Sequence, residues 1–101
     1  MIIVLGEVVV EAGAVEHVRE ALVEMQSATR KEAGCASYSF AVEVGDSTRI
    51  HIAERWESMQ ALEAHFASPH MAAFGAAVVA VQPKSMDVKA YEVAGEVALP
   101  G

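Results

Sequence analysis

Residues Ile2 to Glu11 constrain this chain more than any other stretch. They are rich in Val and Ile, the β-branched composition of a strand. Counted by twos, one parity carries Ile2, Val4, Val8 and Val10; the other carries Ile3, Leu5 and Val9, together with Glu7 and Glu11. A strand that is largely apolar on both parities needs cover on both faces. Any fold open to this chain therefore holds that strand within a sheet, with one layer above it and another below.

The following sequence supplies one of those layers. Gly13 breaks the strand, and Val15, Val18, Leu22, Met25 and Thr29 then recur at three- and four-residue steps between Glu16, Arg19, Glu20 and Glu24. This predicts an amphipathic helix ending near a C′ glycine at Gly34. Cys35 to Val44 alternates, with Tyr38, Phe40, Val42 and Val44 on one face. Gly45-Asp46-Ser47 reads as a turn, and Thr48 to Glu57 as the returning strand of a hairpin. In that strand Ile50, Ile52 and Trp56 point one way, and Arg49, His51, Ala53 and Arg55 the other.

Ser58 suits the N-cap of a short helix with Leu62 and Phe66 on its buried side. Ser68-Pro69 restarts a helix, with Ser at the N-cap and Pro at N1. Met71, Phe74, Val78 and Val81 form its apolar stripe, and Pro83 ends it. Met86 to Val93 reads as a last strand. The expected organisation is one domain over residues 1–95 and a C-terminal tail over 96–101.

The order β-α-β-β-α-β is the α+β, ferredoxin-like arrangement, an antiparallel sheet with helices on one face. The helices cover only one parity of the first strand. Two such sheets packed face to face across a homodimer would cover the other. Composition points the same way. Of 101 residues, 53% are hydrophobic, and the mean hydropathy is +0.30. That is more apolar matter than so short a chain hides alone.

The net charge is −7, and no basic cluster exceeds the pair Arg30-Lys31. Such a chain is a poor partner for phosphate backbones or for anionic membrane. A lone cysteine, Cys35, makes no intrachain disulfide and fits a cytoplasmic setting, as a small apolar filler. The N-terminal run lacks the basic flank of a signal peptide, and no apolar run has bilayer-spanning length.

Chemistry concentrates in the run from Glu54 to Phe74, which holds Trp56, His65, Phe66, His70, Met71 and Phe74. An imidazole titrates ordinarily near pH 6.5, which suits proton abstraction at neutral pH. His65, at the margin of its helix's apolar face, is the candidate general base, facing a cavity between helix and sheet. The competing reading is a half-buried histidine bonded to a carbonyl. His70 lines the mouth of the same cavity or decorates the surface. His51 faces helices or a partner subunit, with a structural role the simpler reading. Tyr38, Phe40 and Trp56 lie on the hairpin, where aromatics more often serve the core, while the clustering of Trp56, Phe66 and Phe74 around one segment points to an aromatic-sized pocket. A metal site is not expected: His65 and His70 are five apart with a proline between, and no HxH or CxxC occurs.

The segments EAGCASYSF (Glu32–Phe40), IAERWES (Ile52–Ser58) and LEAHFASPHMAAF (Leu62–Phe74) closely resemble the antibiotic biosynthesis monooxygenase family, and within it the small quinol monooxygenases. The resemblance runs from about Ile2 to Val93. It implies a dimeric α+β barrel with a hydrophobic pocket between sheet and helices in each subunit. It further implies oxygenation of a small hydroquinone- or phenol-type aromatic by O2, with no metal, flavin or other cofactor. His65 would then take the phenolic proton, and His70 or Tyr38 would position an oxygen. Trp56, Phe66, Met71, Phe74, His51 and Phe40 would contact substrate. The haem-degrading branch of the family uses an Asn, a helical Trp and a later His. This chain has no Asn, and His65 and Gly75 stand where that Trp and His would fall. A branch acting on a phosphorylated signalling sugar shares the His-x4-His segment. A non-catalytic binder of small hydrophobic ligands, or an isomerase or lyase on the same scaffold, stays open beside the oxygenase.

Overall fold

The computed structural model of the chain describes residues 1–101. The elements run β1 (Ile2–Val9), α1 (Ala14–Thr29), β2 (Cys35–Glu43), β3 (Asp46–Trp56), α2 (Met59–Phe66), α3 (Pro69–Ala80) and β4 (Ser85–Glu92). The four strands form one antiparallel sheet in the order β2-β3-β1-β4. The fold is α+β, as the alternation of patterns predicts, with the second helical arm divided at Ser68-Pro69.

The doubly apolar strand is central. β1 pairs with β3 on one side (Ile2 opposite Trp56, Val8 opposite Ile50) and with β4 on the other (Ile2 opposite Glu92). Its even-numbered parity turns toward the helices, so Ile2, Val4, Val8 and Val10 are all buried. The apolar stripe of α1 packs onto that parity through Val15, Val18, Met25 and Thr29. Two core clusters result. One gathers Ile2, Val4, Met25, Tyr38, Trp56 and Leu62; the other gathers Val8, Val10, Ala14, Val15 and Ile50. Each such aliphatic or aromatic side chain contributes roughly 1.5–3 kcal/mol by leaving water.

The opposite face of the sheet carries no helix. Leu5 and Tyr91 are half exposed there, and every residue of β4 is exposed.

Several boundaries differ from the sequence reading. Helix α1 ends at Thr29, with Arg30 as C-cap, five residues before Gly34. The chain then turns tightly, the Glu32 N–H donating to the Thr29 carbonyl at 3.0 Å. Gly34 has φ +82, but it is not a helix terminus; a Cβ there would lie 2.5 Å from the Ala61 Cβ, so the position needs glycine for close approach to α2. The hairpin turn is Val44-Gly45, one residue earlier than expected, with Gly45 at φ +90. The Asp46 carboxylate accepts from the Thr48 N–H and hydroxyl at 3.0 and 2.6 Å, which draws Asp46 into the strand.

Ser58 and Ser68 cap α2 and α3 as expected, their hydroxyls accepting from the Ala61 and Met71 N–H groups. Phe66 does not lie on the buried side of α2. It is 64% exposed, and His65 takes the inward position beside Leu62. The stripe Met71, Phe74, Val78 and Val81 is only half-buried, and α3 has no fully buried residue.

Candidate functional site

Three elements converge at the Trp56 end of the sheet. Trp56 ends β3 with no exposed surface and forms the floor. His65, in the last turn of α2, lies over it with ring centroids 4.9 Å apart, and 5.5 Å from the ring of Tyr38 on β2. The Ser68-Pro69 break reverses the helical arm so that His70, in the first turn of α3, swings back to within 5.9 Å of His65. The Ser68 hydroxyl fixes this junction, donating to the His65 carbonyl at 2.6 Å while accepting from Met71 N–H at 3.2 Å.

The group that joins the two imidazoles is Glu32, from the tight turn between α1 and β2. Its Oε2 lies 2.6 Å from His65 Nδ1 and 2.9 Å from His70 Nε2. A carboxylate only accepts, so both ring N–H groups point at this one oxygen. The basic lone pairs are thereby assigned to Nε2 of His65 and Nδ1 of His70. This is the logic by which a carboxylate fixes a catalytic histidine's tautomer and orientation. The side chains form a gradient of access: His65 is 1% exposed, Glu32 16% and His70 26%.

A second carboxylate lies beneath. Glu54 is buried and accepts the Trp56 indole N–H at 2.8 Å. Burial pushes its carboxyl above the ordinary range, against the opposing pull of the indole hydrogen bond and of His65. Burial, reinforced by Glu54, also pushes the Tyr38 phenol well above its usual value, so it stays protonated and is a hydrogen-bond donor, not a base. The Cys35 thiol is raised by burial and by Glu32 and Glu54, in keeping with an unreactive filler.

Of the residues singled out in the sequence, the fold gathers His65, His70, Tyr38 and Trp56 around Glu32. Phe40, Met71 and Phe74 pack against the same core cluster, with Phe40 and Phe74 stacked at 5.3 Å. One other lies elsewhere: His51 is on the helix-free face, paired with Glu43 at 2.8 Å, because its parity on β3 is opposite to that of Trp56. Phe66 is largely exposed but stands edge-on to His65, with ring centroids 5.9 Å apart. His65 is tightly packed, with 1% of its surface exposed, and the grooves of about 610, 390 and 190 Å3 are bounded by other residues. Glu32 and Glu54 were not among the sequence candidates. Glu54 shares the parity of Ile50, Ile52 and Trp56, so an inward carboxylate was legible there; Glu32 lies in a turn that has no periodicity.

The fold and this site define a class of small α+β protein with an imidazole–carboxylate cluster between sheet and helices. Residues 1–77 match the family model described as antibiotic biosynthesis monooxygenase, and the chain belongs to that family. A Deinococcus radiodurans protein provisionally named as such a monooxygenase is 27% identical, with TM-score 0.91 over 100% of both chains. A Mycobacterium tuberculosis protein is 27% identical, with TM-score 0.84 over 96% of this chain and 98% of its own. A Nitrosomonas europaea protein, again provisionally named as such a monooxygenase, shares the fold at 17% identity, with TM-score 0.87 over 94% of this chain and 100% of its own. Comparison with curated proteins gives no match. Family and neighbours support a general monooxygenase-like function. No helix is long and apolar enough to cross a membrane.

Proposed function

We propose that the protein is a cofactor-independent monooxygenase acting with O2 on a small hydroquinone- or phenol-type aromatic, as a cytoplasmic homodimer joined through its helix-free sheet face. The observation that carries this reading is the Glu32 carboxylate held between the two imidazoles, 2.6 and 2.9 Å away, beside Tyr38 and Trp56.

Reaction of O2 with a closed-shell organic molecule is spin-forbidden, so the substrate must give up one electron easily. Loss of a phenolic proton achieves this. His70, the more exposed imidazole, meets the phenol first; the Glu32 carboxylate holds its tautomer and offsets the positive charge it gains, while the His65 N–H fixes that carboxylate from behind. The phenolate passes one electron to O2, and the radical pair joins at a ring carbon. The peroxide O–O bond then breaks, a ring C–H becoming C=O while the second oxygen leaves as water. Tyr38 donates a hydrogen bond to the developing oxygen, and Trp56, Met71, Phe40 and Phe74 keep water away. A positioned base contributes about 10²–10⁴-fold.

The test is oxygen consumption with a panel of hydroquinones and naphthols, with and without chelator. His70→Ala, Glu32→Gln and His65→Ala should each lower turnover by about 10² or more. Unchanged turnover in all three variants, or activity abolished by chelator, would refute the proposal. A non-catalytic binder is the second reading, and the groove of about 610 Å3 between α1 and α3 favours it, being lined mostly by Ala and Val. That reading predicts ligand binding without oxygen uptake.

A further inference from the structure

We infer that Glu32, His65 and His70 also form a binding site for one divalent transition-metal ion of the zinc and cobalt type. The geometric basis is independent of the oxygenase reading. Glu32 Oε2, one nitrogen of His65 and one of His70 lie within 4.8 Å of one another. Two imidazoles and one carboxylate are the donor set that zinc and its neighbours in the first transition row accept, with one or more positions left for water.

The distances fit this reading. Zinc binds histidine nitrogen and carboxylate oxygen at about 2.0–2.2 Å, so donors at the corners of a tetrahedron stand roughly 3.3 Å apart. The two contacts to Glu32 Oε2 are 2.6 and 2.9 Å. The cluster needs to open by only about half an ångström, within reach of small side-chain rotations. The donors come from three separate elements, and each is anchored. His65 is held between Trp56 and Tyr38, His70 follows the Ser68 cap, and the turn bearing Glu32 is closed by the Glu32 N–H to the Thr29 carbonyl. An ion enters from the His70 side, where the cluster meets solvent.

The expectation against a metal rested on a five-residue spacing interrupted by a proline and on the absence of an HxH or CxxC pair. Local spacing does not decide the matter here, because the fold brings the donors together from separate elements. Ser68-Pro69 divides the arm into two helices, and the turn after α1 supplies the third donor.

The site has a chemical consequence. An ion held at Nδ1 of His65 and Nε2 of His70 places each ring's proton on the opposite nitrogen. The lone pairs assigned above to base chemistry are then occupied, so the ion-loaded cluster contains no free base. Bound zinc is therefore inhibitory if the oxygenase reading holds, and the binding itself stands without it.

The test uses tag-free, chelator-treated full-length protein titrated with cobalt(II), followed by visible d–d absorption and then by zinc displacement. One cobalt per chain is expected, with the intense visible bands of a four- or five-coordinate site, lost on adding zinc. His70→Ala and Glu32→Gln should each weaken binding by at least about tenfold, since even outer-shell partners of metal sites have effects of that size. His51→Ala, which alters the pair with Glu43 on the other face, should leave it unchanged. Circular dichroism checks that each variant is folded. Absence of saturable cobalt binding, or binding that survives both His70→Ala and Glu32→Gln, would overturn the inference. So would binding that disappears in His51→Ala.

Discussion

Replacement of Glu54 by Gln isolates the effect of placing a carboxyl in the core. The side chain is 7% exposed, and its Oε1 accepts the Trp56 indole N–H at 2.8 Å. A glutamine keeps an acceptor oxygen there and deletes the ionisation. Burial raises the folded-state carboxyl above its ordinary 4.5, the indole and His65 opposing. The folded protein thus holds this proton more tightly than the unfolded chain does. The corresponding stability is fully present below about pH 4.5 and is lost as pH rises through the raised value. Within that window one extra bound proton changes unfolding free energy by at most about 1.4 kcal/mol per pH unit.

The expected result is a difference curve. Wild type should lose stability relative to Glu54→Gln as pH climbs from about 4.5, and the two should run parallel above the raised value. At pH 8 the glutamine variant should be at least as stable. Glu54→Leu, which orphans the indole N–H, should instead lie about 1–3 kcal/mol below Glu54→Gln at every pH. Urea unfolding between pH 4 and 8 at fixed protein concentration measures this, with Trp56, the only tryptophan, as the fluorescent probe. A difference curve flat across that range would refute the assignment of a buried, proton-retaining carboxyl. So would a glutamine variant weaker by more than about 1 kcal/mol at pH 8.

Gly34→Ala should cost at least about 2 kcal/mol, combining a left-handed φ with a Cβ 2.5 Å from Ala61. Gly45→Ala, with φ +90 and open space around it, should cost only the backbone share; thermal melts of the pair separate the two effects. Thr29→Val should stabilise by about 1 kcal/mol, because the Thr29 hydroxyl is buried with no hydrogen-bond partner; a loss of stability in urea would show that the hydroxyl is satisfied. Phe66→Ser should change stability by less than about 0.5 kcal/mol and leave oxygen uptake intact, since the ring is 64% exposed; a large drop in turnover would return Phe66 to the substrate-contact set.

Most of the fold was legible because its signals are periodic. The two apolar parities of β1 marked it as a strand covered on both faces without saying which face the helices take, and Val15, Val18, Met25 and Thr29 located the buried face of α1. Boundaries slipped where local chemistry competes with periodicity. Gly34 resembles a helix-ending glycine, but its positive φ serves a close approach to Ala61 that depends on tertiary packing. Phe66 reads as the buried partner of Leu62 on size alone. Over so short a helix, one step of rotation decides between Phe66 and His65, and the helix chose to bury the imidazole because Glu32 was there to receive its N–H.

That last exchange explains why the site was harder to read than the fold. A buried imidazole needs a partner, and nothing near His65 in sequence supplies one; Glu32 is 33 residues away. Its turn is short enough to return the chain directly into β2, and this places its carboxylate within hydrogen-bond reach of His65 and His70. The inward parity of β3 already carried a clue in Glu54, a charged residue between Ile52 and Trp56 on a face otherwise apolar. An acidic side chain on a core-facing parity requires a polar interior, and a polar interior requires further polar groups within reach. Read that way, Glu54 predicts that the adjoining helix presents a hydrogen-bonding residue inward, and His65 is the only such candidate at the end of α2. The shared carboxylate also couples the two rings. Glu32 is the side-chain partner of both imidazoles, so Glu32→Gln should perturb both histidines together, visible as paired changes in their ring proton and nitrogen chemical shifts, whereas two independent histidines would respond singly.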